Sequence, residues 1–99
     1  MKVVWTEEAQ ADLAGICDYI AKDNPSRAVS FINEIVDAGE AISNIPQGFP
    51  FVPQLAHKGI RKRVYGRYLI FYRLEAETIQ ILHVADAARD YIKALFPEV

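Results

Sequence analysis

Apolar residues recur every three or four positions through the first half of the chain, which is the spacing of amphipathic helices. The first stripe follows a β-favouring segment at residues 3–5 and begins after Thr6, a good N-cap residue. The second begins at Asn24-Pro25, where asparagine can cap a helix and proline can occupy its first position. Three elements are predicted: a short strand at 3–5, a helix from Glu7 to near Lys22, and a helix from Pro25 to about Ser43. The two helices should form an antiparallel hairpin.

The second half of the chain has a different pattern. Proline and glycine recur between residues 46 and 53 and predict a loop without regular structure. Alternation typical of strands then begins. An antiparallel three-stranded meander is predicted at 60–65, 67–74 and 78–84, followed by a short C-terminal helix over 86–95. The fold class is therefore α+β, with residues 1–99 forming one domain.

The middle strand of the predicted meander has apolar residues on both faces. Leu69 and Phe71 alternate along it with Tyr68, Ile70 and Tyr72. A sheet with two apolar faces must be covered on both sides. We expect the helices to cover one face, and the C-terminal tail or a partner to cover the other.

Three further residues are assigned to packing. Cys17 belongs to the first helical stripe and is expected to be a small core residue, not a nucleophile. Trp5 is expected to pack beneath the first helix. Gly39 lies on the inner stripe of the second helix, where we expect it to let the two helices approach closely.

Charge is unevenly distributed along this chain of 99 residues, although its formal net charge is only −2. Residues 1–50 carry three bases against eight acids, whereas residues 51–99 carry eight bases against five acids. The basic excess is concentrated between Lys58 and Arg73, where six Lys or Arg residues occur with no Asp or Glu. An anionic partner is therefore expected at this segment.

The composition argues against several classes of protein. The longest apolar run, at 68–72, is far shorter than the ~20 residues that span a bilayer, so no membrane association is expected. The N-terminus shows no cleavable signal, and we expect a cytoplasmic protein. One cysteine, Cys17, and two distant histidines, His57 and His83, offer neither a disulfide nor the spacing of a zinc site. No metal or other cofactor is expected.

Several runs of residues carry a family resemblance. They are Gly59-Ile60-Arg61, Gly66 to Arg73, Ile79 to Val84, Ala88-Arg89-Asp90 and Leu95-Phe96. Together they resemble the RelE/ParE superfamily of type II toxin–antitoxin toxins. The opening helices are similar to the helical hairpin of that family, so the resemblance spans nearly the whole chain. The stretch from Tyr68 to Arg73 and the Ala88-Arg89-Asp90 ending are closer to the ParE-like members.

The resemblance implies alternative functions on one scaffold. ParE-like members typically poison DNA gyrase by binding it, whereas RelE-like members are ribosome-dependent endoribonucleases that cut mRNA, and the fold does not choose between them. A flexible segment of a cognate antitoxin wraps such toxins, which implies a hetero-oligomer with a ParD-like antitoxin. We expect a gyrase inhibitor that is not an enzyme. The alternatives are an mRNA interferase and a module that binds an antitoxin without being toxic.

Candidate target-binding cations lie on the meander and after it. They are Arg61, Lys62, Arg63, Arg67, Arg73 and Arg89. For the first three, a solvated strand edge that discourages aggregation is an equally good explanation. Arg73 falls on an apolar face and needs a partner there, so a structural salt bridge to Asp90 is an alternative to target contact.

RNA cleavage would require a base, an acid and cations that stabilise charge on the phosphate. The residues for such a site are Arg67, Arg73, Arg89 and Tyr91, with His83 as another possible proton carrier. His83 lies on an apolar strand and Tyr91 on the apolar side of the terminal helix, where packing is the expected role of both. No firm catalytic residue is assigned, and the acid Asp86 beside this region argues against a nuclease.

Overall fold

The computed structural model describes residues 1–97 and has the mixed α+β architecture expected from the sequence. Its elements are β1 (Lys2–Trp5), α1 (Glu7–Ala21), α2 (Pro25–Glu40), β2 (Arg61–Tyr65), β3 (Tyr68–Glu75), β4 (Thr78–Asp86) and α3 (Tyr91–Leu95). Two 3₁₀ segments, Ala41–Asn44 and Pro53–Lys58, lie between α2 and β2.

The predicted helix starts are confirmed by their caps. The Thr6 hydroxyl accepts the N–H of Ala9 at 3.1 Å, and the Asn24 side-chain oxygen accepts the N–H of Arg27 at the same distance. A cap of this kind stabilises a helix by about 1 kcal/mol. α2 is shorter than predicted because its end tightens into a 3₁₀ segment, a common way to satisfy the last carbonyls.

Other boundaries differ from the prediction. The loop predicted over residues 46–53 ends one residue early, because a 3₁₀ helix, Pro53–Lys58, begins at its last residue and ends at Gly59 in the left-handed region, with φ 73°. β4 does not end at residue 84, because Asp86 still pairs with Tyr68 of β3. The terminal helix therefore begins only at Tyr91, and the prediction of a helix from residue 86 was wrong.

The meander and the N-terminal strand form one four-stranded sheet in the order β1-β4-β3-β2. β2, β3 and β4 are antiparallel neighbours, as predicted. β1 adds to the outer side of β4 in parallel, with Val3 opposite Ile79 and Trp5 opposite Ile81. The first and last strands of the chain are therefore adjacent in the sheet.

One face of the sheet packs on the helical hairpin. Buried Ile35 and Ile42 meet Ile70, Tyr72 and other strand residues in this cluster. Partly buried side chains such as those of α1 and β1 complete it. No helix within residues 1–97 is long and apolar enough to cross a membrane.

Gly39 has a different role from the one expected. A β-carbon at this position would lie 2.5 Å from Trp5 Cζ2 and 2.9 Å from Ile81 Cδ1. The close approach is therefore between α2 and the sheet, not between the two helices. The Trp5 indole N–H also donates to the carboxylate of Glu40 at 2.8 Å, so Trp5 is attached to α2.

The other face of the sheet is covered by parts of the chain itself. Leu69, Phe71 and Ala85 form a second cluster with the buried side chains of Val52, Leu55 and Ile60. α3 and the residue after it pack against this cluster. The sequence predicted that either the C-terminal tail or a partner covers this face. The tail covers part of it, and the segment before β2 covers the remainder.

A bulge in β4 changes which side chains share a face. Phe71 pairs with His83 but the next residue of β3, Tyr72, pairs with Ile81, which leaves Leu82 as the extra residue. Val84 consequently joins Ile81 in the helix-facing cluster, while the His83 ring lies against Phe96 of the tail. Regular alternation along β4 would have placed His83 on the same face as Ile79 and Ile81, and the bulge prevents this.

Candidate functional site

A groove of about 440 Å³ lies between α1 and the end of β4. It exists because β1 stops at Trp5, where the chain turns into α1 at Thr6. Beyond Ile81, β4 therefore has β3 on one side and, among residues 1–97, no strand on the other. Clefts of this volume are typical of binding sites.

The wall of the groove on α1 is low at Gly15. A β-carbon built on Gly15 would meet nothing within 4 Å, so the helix backbone itself borders the open space. One turn further on, Tyr19 is 63% exposed and presents its ring at the groove. Tyr68 of β3 forms part of the floor, and its burial raises the pKa of the phenol. The groove thus offers aromatic and backbone surface together.

Two arginines line the groove, and within residues 1–97 one of them is paired with an acid and the other is not. Arg67 is paired with Asp86. The pKa of Asp86 is lowered first by the N–H of Ala88, which donates to its carboxylate at 2.9 Å, and second by Arg67. Arg89 lines the same groove, and its guanidinium has no partner within residues 1–97. Arg89 therefore gives the groove its uncompensated positive charge.

Asp12 of α1 satisfies a backbone N–H of β4 that a neighbouring strand would otherwise satisfy. Its Oδ2 accepts the backbone N–H of Val84 at 2.9 Å and lies 2.8 Å from His83 Nδ1. His83 thus has the hydrogen-bonded packing role that was expected for it. This role of Asp12 was not predicted, although its spacing from Ala9 and Ile16 places it at the edge of the buried stripe.

Arg61 and Arg63 hold the segment between α2 and β2. Arg61 Nη1 donates to the carbonyl of Phe49 at 2.7 Å, and its guanidinium lies 3.9 Å from the centre of the Phe51 ring. Arg63 Nη1 donates to the carbonyl of Ala38 at 2.7 Å. Both side chains have structural partners, so a purely solvated edge is not their role. Target contact by either stays a prediction.

Arg73 lies apart from the groove. It is paired with Glu75 at 3.3 Å, so a structural salt bridge exists, but its acid is not Asp90, the one suggested as an alternative to target contact. Its Nε is buried and has no hydrogen-bond partner in the described part of the chain. The side chain lines a second cavity of about 160 Å³, together with His83 and Phe96.

The four residues considered for RNA cleavage are not gathered at one place. Arg67 and Arg89 share the groove, whereas Arg73 lines the second cavity. Tyr91 packs on the tail-covered face, with its ring 5.0 Å from that of Phe71. Within residues 1–97, no three His, Cys, Asp or Glu side chains are clustered so as to hold a metal ion.

The fold and the groove define a small α+β protein with a surface suited to a partner chain. A family model described as the ParE toxin of the type II toxin–antitoxin system parDE matches residues 3–91. The chain belongs to this ParE toxin family. The match runs from β1 to the first residue of α3, and it confirms the RelE/ParE resemblance on its ParE side.

Solved structures agree with the family assignment. A chain from the chromosomal ParDE toxin–antitoxin system of P. aeruginosa is 27% identical and superposes with a TM-score of 0.74. The alignment covers 87% of this chain and 95% of that one. No curated protein sequence matches this chain.

Proposed function

We propose that this ParE toxin acts by binding and inhibiting DNA gyrase in the cytoplasm. The observation that carries the proposal is the separation of the nuclease candidates: Arg67 and Arg89 line the groove, while Tyr91 is packed against Phe71. General acid–base catalysis needs its groups within hydrogen-bond reach of one substrate. A surface of separate cations suits the binding of a macromolecule better than its cleavage.

The proposed contacts with the target are made by cations that have no side-chain partner within residues 1–97. Arg61 and Arg63 bind carbonyls of the chain itself. Lys62 lies between them on β2, and Arg89 follows β4. Both leave their charge available to acidic groups of a partner. Gyrase contact through Lys62 and Arg89 is therefore the form of the proposal that the structure supports best.

Neutralisation by a ParD-like antitoxin is the second part of the proposal. A toxin of a type II toxin–antitoxin system implies an antitoxin partner, and the structure from P. aeruginosa belongs to a ParDE system. An antitoxin that covered Arg89 would remove one of the proposed target contacts. Neutralisation would then be competition for one surface.

Two assays with the same purified chain test the proposal. One measures supercoiling by DNA gyrase, and the other measures ribosome-dependent cleavage of mRNA. Loss of supercoiling with intact mRNA is the expected result, and addition of the antitoxin should restore supercoiling. Cleavage that disappears in Arg73→Ala and Tyr91→Phe variants would instead establish an mRNA interferase. Inactivity in both assays would leave a module that binds an antitoxin without toxicity.

A further inference from the structure

The second cavity, of about 160 Å³, lies beside the C-terminal tail. It is bordered by the start of α1, the second 3₁₀ segment, the end of β3, the bulge of β4 and the residues at the end of α3. Among the described residues, no side chain lines both this cavity and the groove. A ligand bound here would therefore be independent of the target contacts proposed above.

The titratable side chains at this cavity are mostly basic. Arg73, Lys58 and His83 line it, and Glu8 is the single acid among the described lining residues. Glu8 is exposed, whereas Arg73 and Lys58 are partly buried. Much of the remaining wall is apolar, including the ring of Phe96. Because apolar walls lower the local dielectric constant, they strengthen the attraction of these cations for a small anion.

Arg73 has an unused donor at this cavity. Its Nη2 pairs with the exposed carboxylate of Glu75 at 3.3 Å. Its Nε is buried and has no hydrogen-bond acceptor in the part of the chain that the structure describes. A buried donor without an acceptor costs free energy, and a charged donor costs more than a neutral one. An oxyanion that accepted a bond from Nε would remove this cost.

The walls of the cavity are held in place by bonds within the chain. His83 Nδ1 lies 2.8 Å from Asp12 Oδ2, and the His83 ring meets the ring of Phe96 edge-on with 5.5 Å between their centres. The hydroxyl of Thr6, which also lines the cavity, donates to the carbonyl of Ile81 at 2.9 Å. Side chains that are already ordered lose little entropy when a ligand binds. The cavity is therefore formed before a ligand arrives.

We propose that this cavity binds a small free oxyanion of the phosphate type at the guanidinium of Arg73. Nε and Nη2 form one edge of that planar group, and such an edge matches two oxygens of an oxyanion. The anion replaces Glu75 at Nη2, which costs little because ion pairs at an exposed surface are weak. It lies between the end of β3 and the end of α3, and so stabilises the packing of the tail.

The size of the cavity selects a small ligand. Pockets that enclose drug-sized molecules measure roughly 300–1,000 Å³. The cavity beside Arg73, at about 160 Å³, has room for one tetrahedral anion but not for a nucleoside as well.

Titration calorimetry of the full chain with inorganic phosphate tests the site. Arg73→Gln should weaken phosphate binding by about tenfold or more, as expected for a lost bond to a charged group. Lys22→Gln removes one positive charge from an exposed position at the end of α1 and should bind phosphate as the wild type does. Equal losses in the two variants would show a non-specific charge effect and overturn the site. Absence of phosphate binding by the wild type would overturn the proposal outright.

A gain of affinity tests the same cavity with Arg73 intact. Glu8→Gln removes the acid at the cavity and should tighten phosphate binding by about threefold, because a repulsive charge is lost. Glu7→Gln makes the same change at the preceding exposed residue, which does not line the cavity, and should have a smaller effect. Equal gains would assign the effect to net charge and contradict the placement of the anion.

Adenosine monophosphate distinguishes a free anion from a phosphate ester. It should bind no more tightly than inorganic phosphate, because the cavity has no room for the nucleoside. Binding about tenfold tighter than that of phosphate would identify a nucleotide as the ligand and overturn the choice of a free anion.

Thermal unfolding gives an independent measurement, since a ligand that binds only the folded chain raises its Tm. Phosphate at about 10 mM, compared with chloride at equal ionic strength, should raise the Tm of the wild type by about 2–4 °C. The general stabilising effect of phosphate salts acts on every variant alike. The additional rise should be absent in Arg73→Gln, and a rise of equal size in that variant would overturn the inference.

Discussion

The indole ring of Trp5 lies so close to Gly39 that a single added methyl group has no room: its carbon would lie 2.5 Å from Trp5 Cζ2. Gly39→Ala should therefore destabilise the protein by about 1–3 kcal/mol, because the ring or α2 must move. This loss should exceed the gain in helix propensity that alanine normally brings. Urea unfolding followed by tryptophan fluorescence measures it directly, since Trp5 is the sole tryptophan.

Gly15→Ala is the matched control for that prediction. Gly15 is also within a helix, but its added β-carbon would meet nothing within 4 Å. The control should stabilise the protein by about 0.5–1 kcal/mol, since alanine loses less backbone entropy than glycine on folding. If both variants were stabilised equally, the tight contact at Trp5 would be absent in solution.

Asn24→Ala should cost about 1 kcal/mol of folding free energy without affecting partner binding. Its side-chain oxygen accepts the N–H of Arg27 and so satisfies one of the free donors at the start of α2. Thermal unfolding and antitoxin titration check the two halves of the prediction. Asn33→Ala, at an exposed site within the same helix, should not be destabilising. An unchanged melting temperature for Asn24→Ala would reject the cap.

Asp12→Ala should destabilise the fold by about 1–3 kcal/mol, because it leaves the partly buried N–H of Val84 without an acceptor and removes the partner of His83. Asp18→Ala removes an exposed acid from the same helix and should change stability by no more than about 0.5 kcal/mol. Chemical denaturation of both variants gives the comparison. Equal stabilities would mean that Asp12 does not hold the end of β4.

Asp86 should give the protein a stability that depends on pH in the acidic range. Its pKa is lowered in the folded state, so its contribution is complete above the ordinary value of about 3.9 and is lost as the pH falls through the lower folded value. The difference in unfolding free energy between the wild type and Asp86→Asn should therefore be constant above about pH 5 and shrink below it. A difference that persisted in acid would contradict this.

The two causes of that pKa can be separated with Arg67→Gln. The variant removes the second cause and leaves the first, the bond from the N–H of Ala88. The pKa of Asp86, followed by NMR titration of its carboxyl carbon, should rise but stay below the ordinary value. A complete return to that value would show that the Ala88 bond does not form.

Arg61→Met and Arg63→Met should each destabilise the protein by about 1.5–3 kcal/mol, the usual value for a hydrogen bond to a charged group. Each arginine donates to a backbone carbonyl at 2.7 Å. Lys62→Met should leave stability within about 0.5 kcal/mol of the wild type, as is usual for a surface substitution. Gyrase inhibition by Lys62→Met should fall even so, which would distinguish a contact residue from its two structural neighbours.

Local signals explain why the helices and strands could be predicted from the sequence. Thr6 and Asn24 cap the helices through atoms only three residues away, and strand alternation is a property of neighbouring residues. The position of β1 could not be obtained in this way. Its partner, β4, is more than seventy residues further along the chain, and no pattern within residues 2–5 specifies it.

The parts of the site that were not predicted depend on contacts between distant elements. The bulge at Leu82 interrupts an alternation that looks regular in the sequence, and it places His83 beside the tail. Arg61 and Arg63 bind backbone carbonyls, which every residue possesses, so their side-chain chemistry could not reveal the partners. The sequence therefore shows where the cations are, but not which groups they contact.

The parallel pairing of β1 with β4 has a consequence for synthesis of the toxin. The N-terminal strand emerges from the ribosome first and must wait for residues 78–86 before it can enter the sheet. A product of interrupted translation that stops before Thr78 lacks β4, one of the two central strands, so the groove between α1 and β4 cannot form. Such a fragment should be degraded, so the folded protein is expected only after translation has passed the last strand.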